Sequence, residues 1–174
     1  MAARAVAIVV VLAGCARGGD AGDGLDFPVG DADGHGYYDA QPFGVNQHLG
    51  NDWNGVGGGD SDRGDPVFAI GAGEVTEAAD RGGGWGQVVR VVHRVDGRAV
   101  ESLYAHLDRI DVAVGQRVRR RQPIGTIGTA GGQYPAHLHL EVRTRPGQPL
   151  GGGYGEPDAQ VDPTAFIRAH RPRR

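Results

Sequence analysis

A chain of 174 residues is long enough for one compact domain with extensions and too short for two independent ones. Its formal net charge is −3 and its 18 basic residues are all arginine, so the strongly basic surface of a nucleic-acid binder is missing and no DNA or RNA partner is expected. The 32 glycines and 10 prolines approach a low-complexity share, yet patterned Val, Ile and Leu runs through the middle call for folded β-structure.

The chain opens "MAARAVAIVVVLAGCARGGD", in which Arg4 precedes the apolar run 5–13 and then small residues, the physics of an export signal. The run is short of the ~20 apolar residues that a membrane-spanning helix needs. Its ending, "LAGC", resembles the lipobox of bacterial lipoproteins, which implies a signal peptide over residues 1–14, cleavage before Cys15 and lipid on the Cys15 thiol. The protein would then be held at a membrane of the cell envelope, on the periplasmic or extracellular face, without crossing it. Cys15 is the only cysteine, and an unpaired thiol would be unusual in an exported protein, which favours the lipid.

Residues 15–40 are rich in Gly and Asp without apolar periodicity and read as a flexible tether, with the domain proper over residues 41–170. Short apolar segments separated by glycine-containing turns follow: "PVFAI", "GEVTEAAD", "GQVVRVVHRV", "RAVESLYAHL", "VGQRV", "PIGTIG" and "LHLEVRT". This rhythm predicts a mainly β, antiparallel domain. Asp96-Gly97 marks a tight hairpin between the third and fourth runs. Residues 146–158 are loop by composition, and "VDPTAFIRAH" predicts a short C-terminal helix with Asp162 as N-cap and Pro163 in its first turn.

Three segments carry candidate chemistry. In "HLHLEVR" the period-2 alternation puts His137, His139 and Glu141 on one face of a strand and Leu138, Leu140 and Val142 on the other. In "HLGND", His48 and Asp52 stand four apart in a Gly/Asn-rich stretch that disfavours a helix, so a loop or irregular strand presents them. In "LYAHL", alternation puts Tyr104 and His106 on one face, opposite Leu103, Ala105 and Leu107. Taken singly, each has a plain alternative: solvated histidines on an open sheet face, a turn-forming Asp beside an exposed His, a satisfied histidine at a strand end. His93, among Val89, Val91 and Val95, reads as a structural histidine; Glu141 reads either as a partner to a neighbouring imidazole or as an ordinary strand carboxylate. Trp53 and Trp85 could line a groove or pack inside, and Arg117, Arg119, Arg120 and Arg121 form a basic turn.

Taken together, "HLGND", "YAHL" and "HLHLE", in that order and with "GDPVFAIGAGEV", "GGGWGQVVRVVH" and "VAVGQRVRRRQPIG" between them, resemble the lysostaphin-like, LytM-type zinc endopeptidases that cut bacterial cell-wall peptides. The resemblance spans residues 41–145 and implies a barrel-sandwich domain of LytM type. It implies one zinc ion, Zn2+, held by His48, Asp52 and His139, with His106 and His137 assisting catalysis. Two histidines and an aspartate leave such an ion a net positive charge and an open position, the pattern of catalytic rather than structural zinc. The implied substrates are stem or cross-bridge peptides of peptidoglycan. The implied alternative is a non-catalytic relative that activates a cell-wall amidase or serves as a scaffold. A biotin- or lipoyl-carrying module of similar shape is excluded because the chain has no lysine. One departure is Arg121, where the family commonly has glycine; if that turn needs a positive φ, Arg121 will hold it with strain.

Overall fold

The computed structural model describes residues 24–172; the expected signal peptide 1–14, Cys15 and the rest of residues 1–23 lie outside it, as do residues 173–174. Eleven strands and one helix follow in order: β1 Tyr37–Gln41, β2 Asn51–Gly55, β3 Pro66–Phe68, β4 Gly73–Asp80, β5 Gln87–Val95, β6 Arg98–Leu107, β7 Arg109–Ile110, β8 Arg117–Val118, β9 Pro123–Thr126, β10 Leu138–Arg143, β11 Gln160–Val161 and α1 Pro163–Ala169. The large antiparallel sheet runs β1-β2-β10-β6-β5-β4-β8, with β11 added to β10, and a small sheet runs β3-β9-β7. The β5–β6 hairpin turns at Asp96 (φ 47°) and Gly97 (φ 75°), two successive left-handed residues as a two-residue turn of this hand requires. Helix α1 starts where the capping residues place it, the Asp162 carboxylate accepting from the Ala165 amide at 3.2 Å. The predicted mainly β, antiparallel domain with a short C-terminal helix is the observed one. Among the described residues, no helix is long and apolar enough to cross a membrane.

Alternation along the central strands gives the large sheet two unlike faces. Val75, Val89, Val91, Tyr104, Leu138, Leu140 and Val142 join Val67 and Ile124 of the small sheet in one buried core. His93 also points inward. Its Nδ1–H donates to the Ala72 carbonyl at 3.0 Å, and its Nε2 lies 2.6 Å from Ser102 Oγ, which is in turn 2.9 Å from Tyr104 Oη. This is the structural role expected of it. The other face carries His139, Glu141 and Arg143 of β10, paired with Ala105, Leu103 and Glu101 of β6. Antiparallel partners share a face, so polar and apolar side chains alternate there by design of the register.

The expected tether is corrected for residues 24–40. Leu25, Phe27 and Val29 are buried in the core, Phe27 edge-on to Trp53 at 5.2 Å between ring centroids, and β1 is an edge strand of the large sheet. "LDFPV" alternates apolar residues at i, i+2 and i+4, and each large side chain so buried contributes about 2 kcal/mol. Backbone bonds from Asp26 N to Ile70 O (2.8 Å) and from Phe68 N to Pro28 O (2.8 Å) fasten the segment. The basic turn fastens it again. Arg120 and Arg171 pair with Asp26 at 3.1 and 3.2 Å, and Arg121 donates to the carbonyls of Phe27 (2.8 Å) and Gly30 (2.6 Å) while stacking on Phe68. Arg121 does have a positive φ, 62°; the bonds from its side chain offset the strain.

Candidate metal centre

Strands β2 and β10 pair so that His139 stands opposite Asp52, and both side chains project from the outer face. His48 arrives from a 3-10 turn, Val45–Gln47, in which Asn46 and Gln47 both have positive φ. Between them Gly50 passes so close to β10 that a Cβ would lie 2.4 Å from Leu140 O and 2.9 Å from His139 Cε1. The glycine of "HLGND" is therefore required by the close approach of this segment to β10.

Three donor atoms converge: His139 Nδ1 to Asp52 Oδ1 is 2.9 Å, His48 Nε2 to His139 Nδ1 is 3.1 Å and His48 Nε2 to Asp52 Oδ1 is 3.3 Å. Neighbours dictate the tautomers. His48 Nδ1 donates to the Gln41 carbonyl at 3.0 Å, leaving Nε2 as a lone pair, and His139 Nε2 donates to Glu141 Oε1 at 3.2 Å, leaving Nδ1 as a lone pair. Three lone-pair atoms in one small triangle repel one another unless a cation lies among them. Tetrahedral zinc with ligands at about 2.0–2.1 Å sets its donors about 3.3 Å apart, so the set fits that ion. Without metal a proton serves instead: burial opposes charge on His139, but the hydrogen bonds and charges of Asp52 and Glu141 outweigh it and push its pKa up to about 9. Burial likewise opposes ionisation of Asp52, yet hydrogen bonds from His139 and His48 hold its carboxyl well below the usual range. Glu141 is held down in the same way, by His139 and Arg143 against burial. Of the two readings of Glu141, it is the one that orients an imidazole.

His106 and His137 meet at the same cleft, with ring centroids 4.7 Å apart and His106 5.5 Å from His139. The strand alternation expected for "LYAHL" is corrected here. Tyr104 points into the core, where its hydroxyl accepts from the Ile70 amide at 2.9 Å, whereas His106 lines the cleft with His139. Gln87 pairs with Leu107 but Val89 with Tyr104, so Ala105 and His106 together oppose Val88, a β-bulge, and His106 sits at φ 63°. A bulge re-aims a side chain to the other face. Each of the two histidines donates its Nδ1–H to a carbonyl, His137 to Pro135 at 2.9 Å and His106 to Trp85 at 3.4 Å, which leaves each Nε2 free to accept. Burial and the charges of His139 and His137 push His106 down to about 3, so it is neutral at pH 7.

The cleft above these groups measures about 210 Å3 and is rimmed by Trp85, Tyr134 and Tyr154. Trp85 therefore lines the groove, whereas Trp53 packs in the core. Tyr134 stands 5.2 Å from the His106 ring and Tyr154 5.2 Å from the His48 ring, centroid to centroid. Sequence reasoning did not single out either tyrosine; both lie in glycine- and proline-rich loops whose only signal is an aromatic residue amid small ones. His35 is exposed and His170 pairs with Asp96 at 3.4 Å; neither lines the cleft.

Comparison with known proteins points the same way. Residues 48–152, more than half of the chain, match the model of Peptidase family M23. The murein hydrolase activator EnvC of Escherichia coli is 42% identical over 96 residues, covering 55% of this chain and 22% of that protein. The glycyl-glycine endopeptidase ALE-1 of Staphylococcus capitis is 32% identical over 134 residues, covering 76% of this chain and 33% of that protein. The chain thus spans about a third or less of these relatives' lengths. Among solved structures, the catalytic domain of lysostaphin from Staphylococcus simulans superposes with a TM-score of 0.54 at 26% identity, covering 84% of this chain and 90% of that one. With the family model matched over residues 48–152, a span that includes His48, Asp52, His106, His137 and His139, the chain belongs to Peptidase family M23.

Proposed function

We propose that the protein is a zinc-dependent endopeptidase that hydrolyses stem or cross-bridge peptides of peptidoglycan, held at the cell envelope by lipid on Cys15. The observation that carries this reading is the convergence of two imidazole lone pairs and one carboxylate, 2.9–3.3 Å apart, beneath a cleft with two further imidazoles. His48, Asp52 and His139 would hold the ion. When bound, zinc supplies Lewis acidity, polarising a carbonyl and bringing the pKa of a water towards neutrality.

The chain's own residues supply the rest. His137 Nε2, 3.8 Å from Asp52 Oδ1, is the imidazole nearer the metal triad and is placed to take a proton from the attacking water. Its Nδ1–H bond to Pro135 fixes the ring in the accepting tautomer. His106, neutral and mostly buried, faces the same space from the bulge and is placed to orient that water or to pass the proton to the departing amine. Tyr134 and Tyr154 offer flat walls that exclude water beside an extended peptide. Both histidines sit on or next to sheet strands, which hold catalytic geometry more closely than free loops do.

A second reading is a non-catalytic partner of a cell-wall amidase; it is favoured by the similarity to a murein hydrolase activator. Retention of all five site residues supports the enzyme. The test is digestion of purified peptidoglycan by the chain from Cys15 onward, with and without chelator, beside His139→Ala. Release of peptide fragments that stops with chelator and with the variant is expected. Zinc-loaded protein that releases none, while an amidase becomes active in its presence, would transfer the function to the second reading.

A further inference from the structure

The outer face of the large sheet carries, next to the metal triad, a row of charges that hydrolysis does not use. Arg143 and Glu141 are fully buried, and Glu101 and Arg90 nearly so. Every guanidinium nitrogen of Arg143 is engaged: Nε with Glu141 Oε2 at 2.7 Å, Nη1 with Pro149 O at 3.0 Å and Nη2 with Leu150 O at 3.0 Å. Arg90 Nη1 donates to Gln148 O at 2.8 Å, and Glu101 Oε2 accepts from the Gly147 amide at 3.0 Å. Glu101 Oε1 makes no hydrogen bond and is balanced by Arg90 at 3.5 Å and Arg143 at 4.0 Å. Buried charge is costly unless paired, and each of these four groups faces at least one of opposite sign.

What these charges grip is the backbone of residues 147–150, at the head of the loop "GQPLGGGYG". Its glycines provide no side chains with which to anchor it. Beyond the grip the loop reaches the cleft: Gly153 O accepts from the Leu49 amide at 2.9 Å, the Gly155 amide donates to Gln47 O at 2.9 Å, and Tyr154 lies over the His48 ring. At the other end of the same network Glu141 accepts from His139 Nε2. One buried arginine thus joins a carboxylate behind one imidazole of the triad to a loop packed against the other.

We propose that Arg143 is a positioning residue that makes His139, His48 and the Tyr154 wall of the cleft one mechanical unit, so that metal loading orders the loop and the loop tightens the metal site. The proposal rests on the reading of His48, Asp52 and His139 as metal ligands. Coupling of this kind is reciprocal: what zinc gives to the loop, the loop gives to zinc. Lysine cannot replace the arginine, because one ammonium does not reproduce a planar fork that bridges a carboxylate and two carbonyls.

The test is amide hydrogen exchange on the intact chain, metal-free and with one equivalent of zinc, read at Leu49, Gly147 and Gly155. In the wild type zinc slows these amides at least tenfold. Arg143→Lys still takes up zinc, measured with a chromogenic chelator, but the slowing falls to less than twofold; a merely structural role would instead speed exchange equally with and without metal. Glu101→Gln, which keeps shape and removes one charge of the grip, gives an intermediate slowing at Gly147 and decides the matter if Arg143→Lys does not fold. Folded variants whose loop amides respond to zinc as the wild type's do would overturn the coupling while leaving the metal site intact. A wild type that takes up no zinc would overturn the metal site and the coupling with it.

Discussion

Replacing His93 by glutamine removes one titrating group from the core while keeping one donor for the Ala72 carbonyl and one acceptor for Ser102. Burial depresses the His93 pKa to about 4, against about 6.5 in an unfolded chain. Between those values the unfolded chain takes up a proton that the folded protein refuses. Stability from the neutral ring is therefore complete above pH 6.5 and drains away as the pH falls towards 4. The difference corresponds to about 3 kcal/mol by pH 4, of which about 2 kcal/mol is gone by pH 5. Urea unfolding of wild type and His93→Gln at pH 7, 6, 5 and 4, both in chelator so that the site histidines contribute equally, isolates this term as the difference between the two proteins. The wild type's advantage is expected to shrink by those amounts. A difference constant to within about 0.5 kcal/mol across the series would show that His93 is not held neutral by burial.

Phe27→Ala opens a cavity against Trp53 and is expected to cost about 3–5 kcal/mol in urea unfolding, which a residue in a flexible tether would not. At Arg121, φ 62° penalises any residue with a Cβ, so Arg121→Ala loses the side-chain bonds and keeps the strain, whereas Arg121→Gly loses the bonds but relieves the strain; the alanine variant is expected to be about 1 kcal/mol the less stable by thermal unfolding. His139→Ala is expected to lose zinc in metal analysis. His106→Ala is expected to keep one zinc and to lose about 10²–10⁴-fold in the rate of peptidoglycan hydrolysis, which separates the two classes of histidine.

What was legible in the sequence was whatever a local period or turn could encode. The outward row His139, Glu141 on β10, the hairpin at Asp96-Gly97 and the Asp162 cap all follow from residues within a few positions of one another. Alternation puts Tyr104 on the cleft face beside His106, whereas Tyr104 lies in the core, because a single-residue bulge reverses the period without leaving a mark in "LYAHL". Residues 24–40 read as tether because Gly and Asp dominate their composition; the alternating Leu25, Phe27 and Val29 outweigh that composition once Arg120 and Arg121, nearly a hundred positions away, lock the backbone. Arg143 and Tyr154 carry no local signal of their roles. Glu101 reaches Arg143 only through the pairing of β10 with β6, and Tyr154 meets Gln41 and His48, more than a hundred positions earlier, only where its loop returns to the cleft.

On the proposed function, hydrolysis depends on a metal held by His48, Asp52 and His139. The most direct test of that dependence is to strip the protein of metal, restore zinc in fractional equivalents and follow the rate at which purified peptidoglycan gains new α-amino groups. The rate is expected to start at zero, to rise in proportion to zinc up to one equivalent and to level off there, with His139→Ala inactive throughout. A protein that binds one equivalent of zinc yet generates no new amino groups, or that generates them at a rate indifferent to zinc, would contradict it.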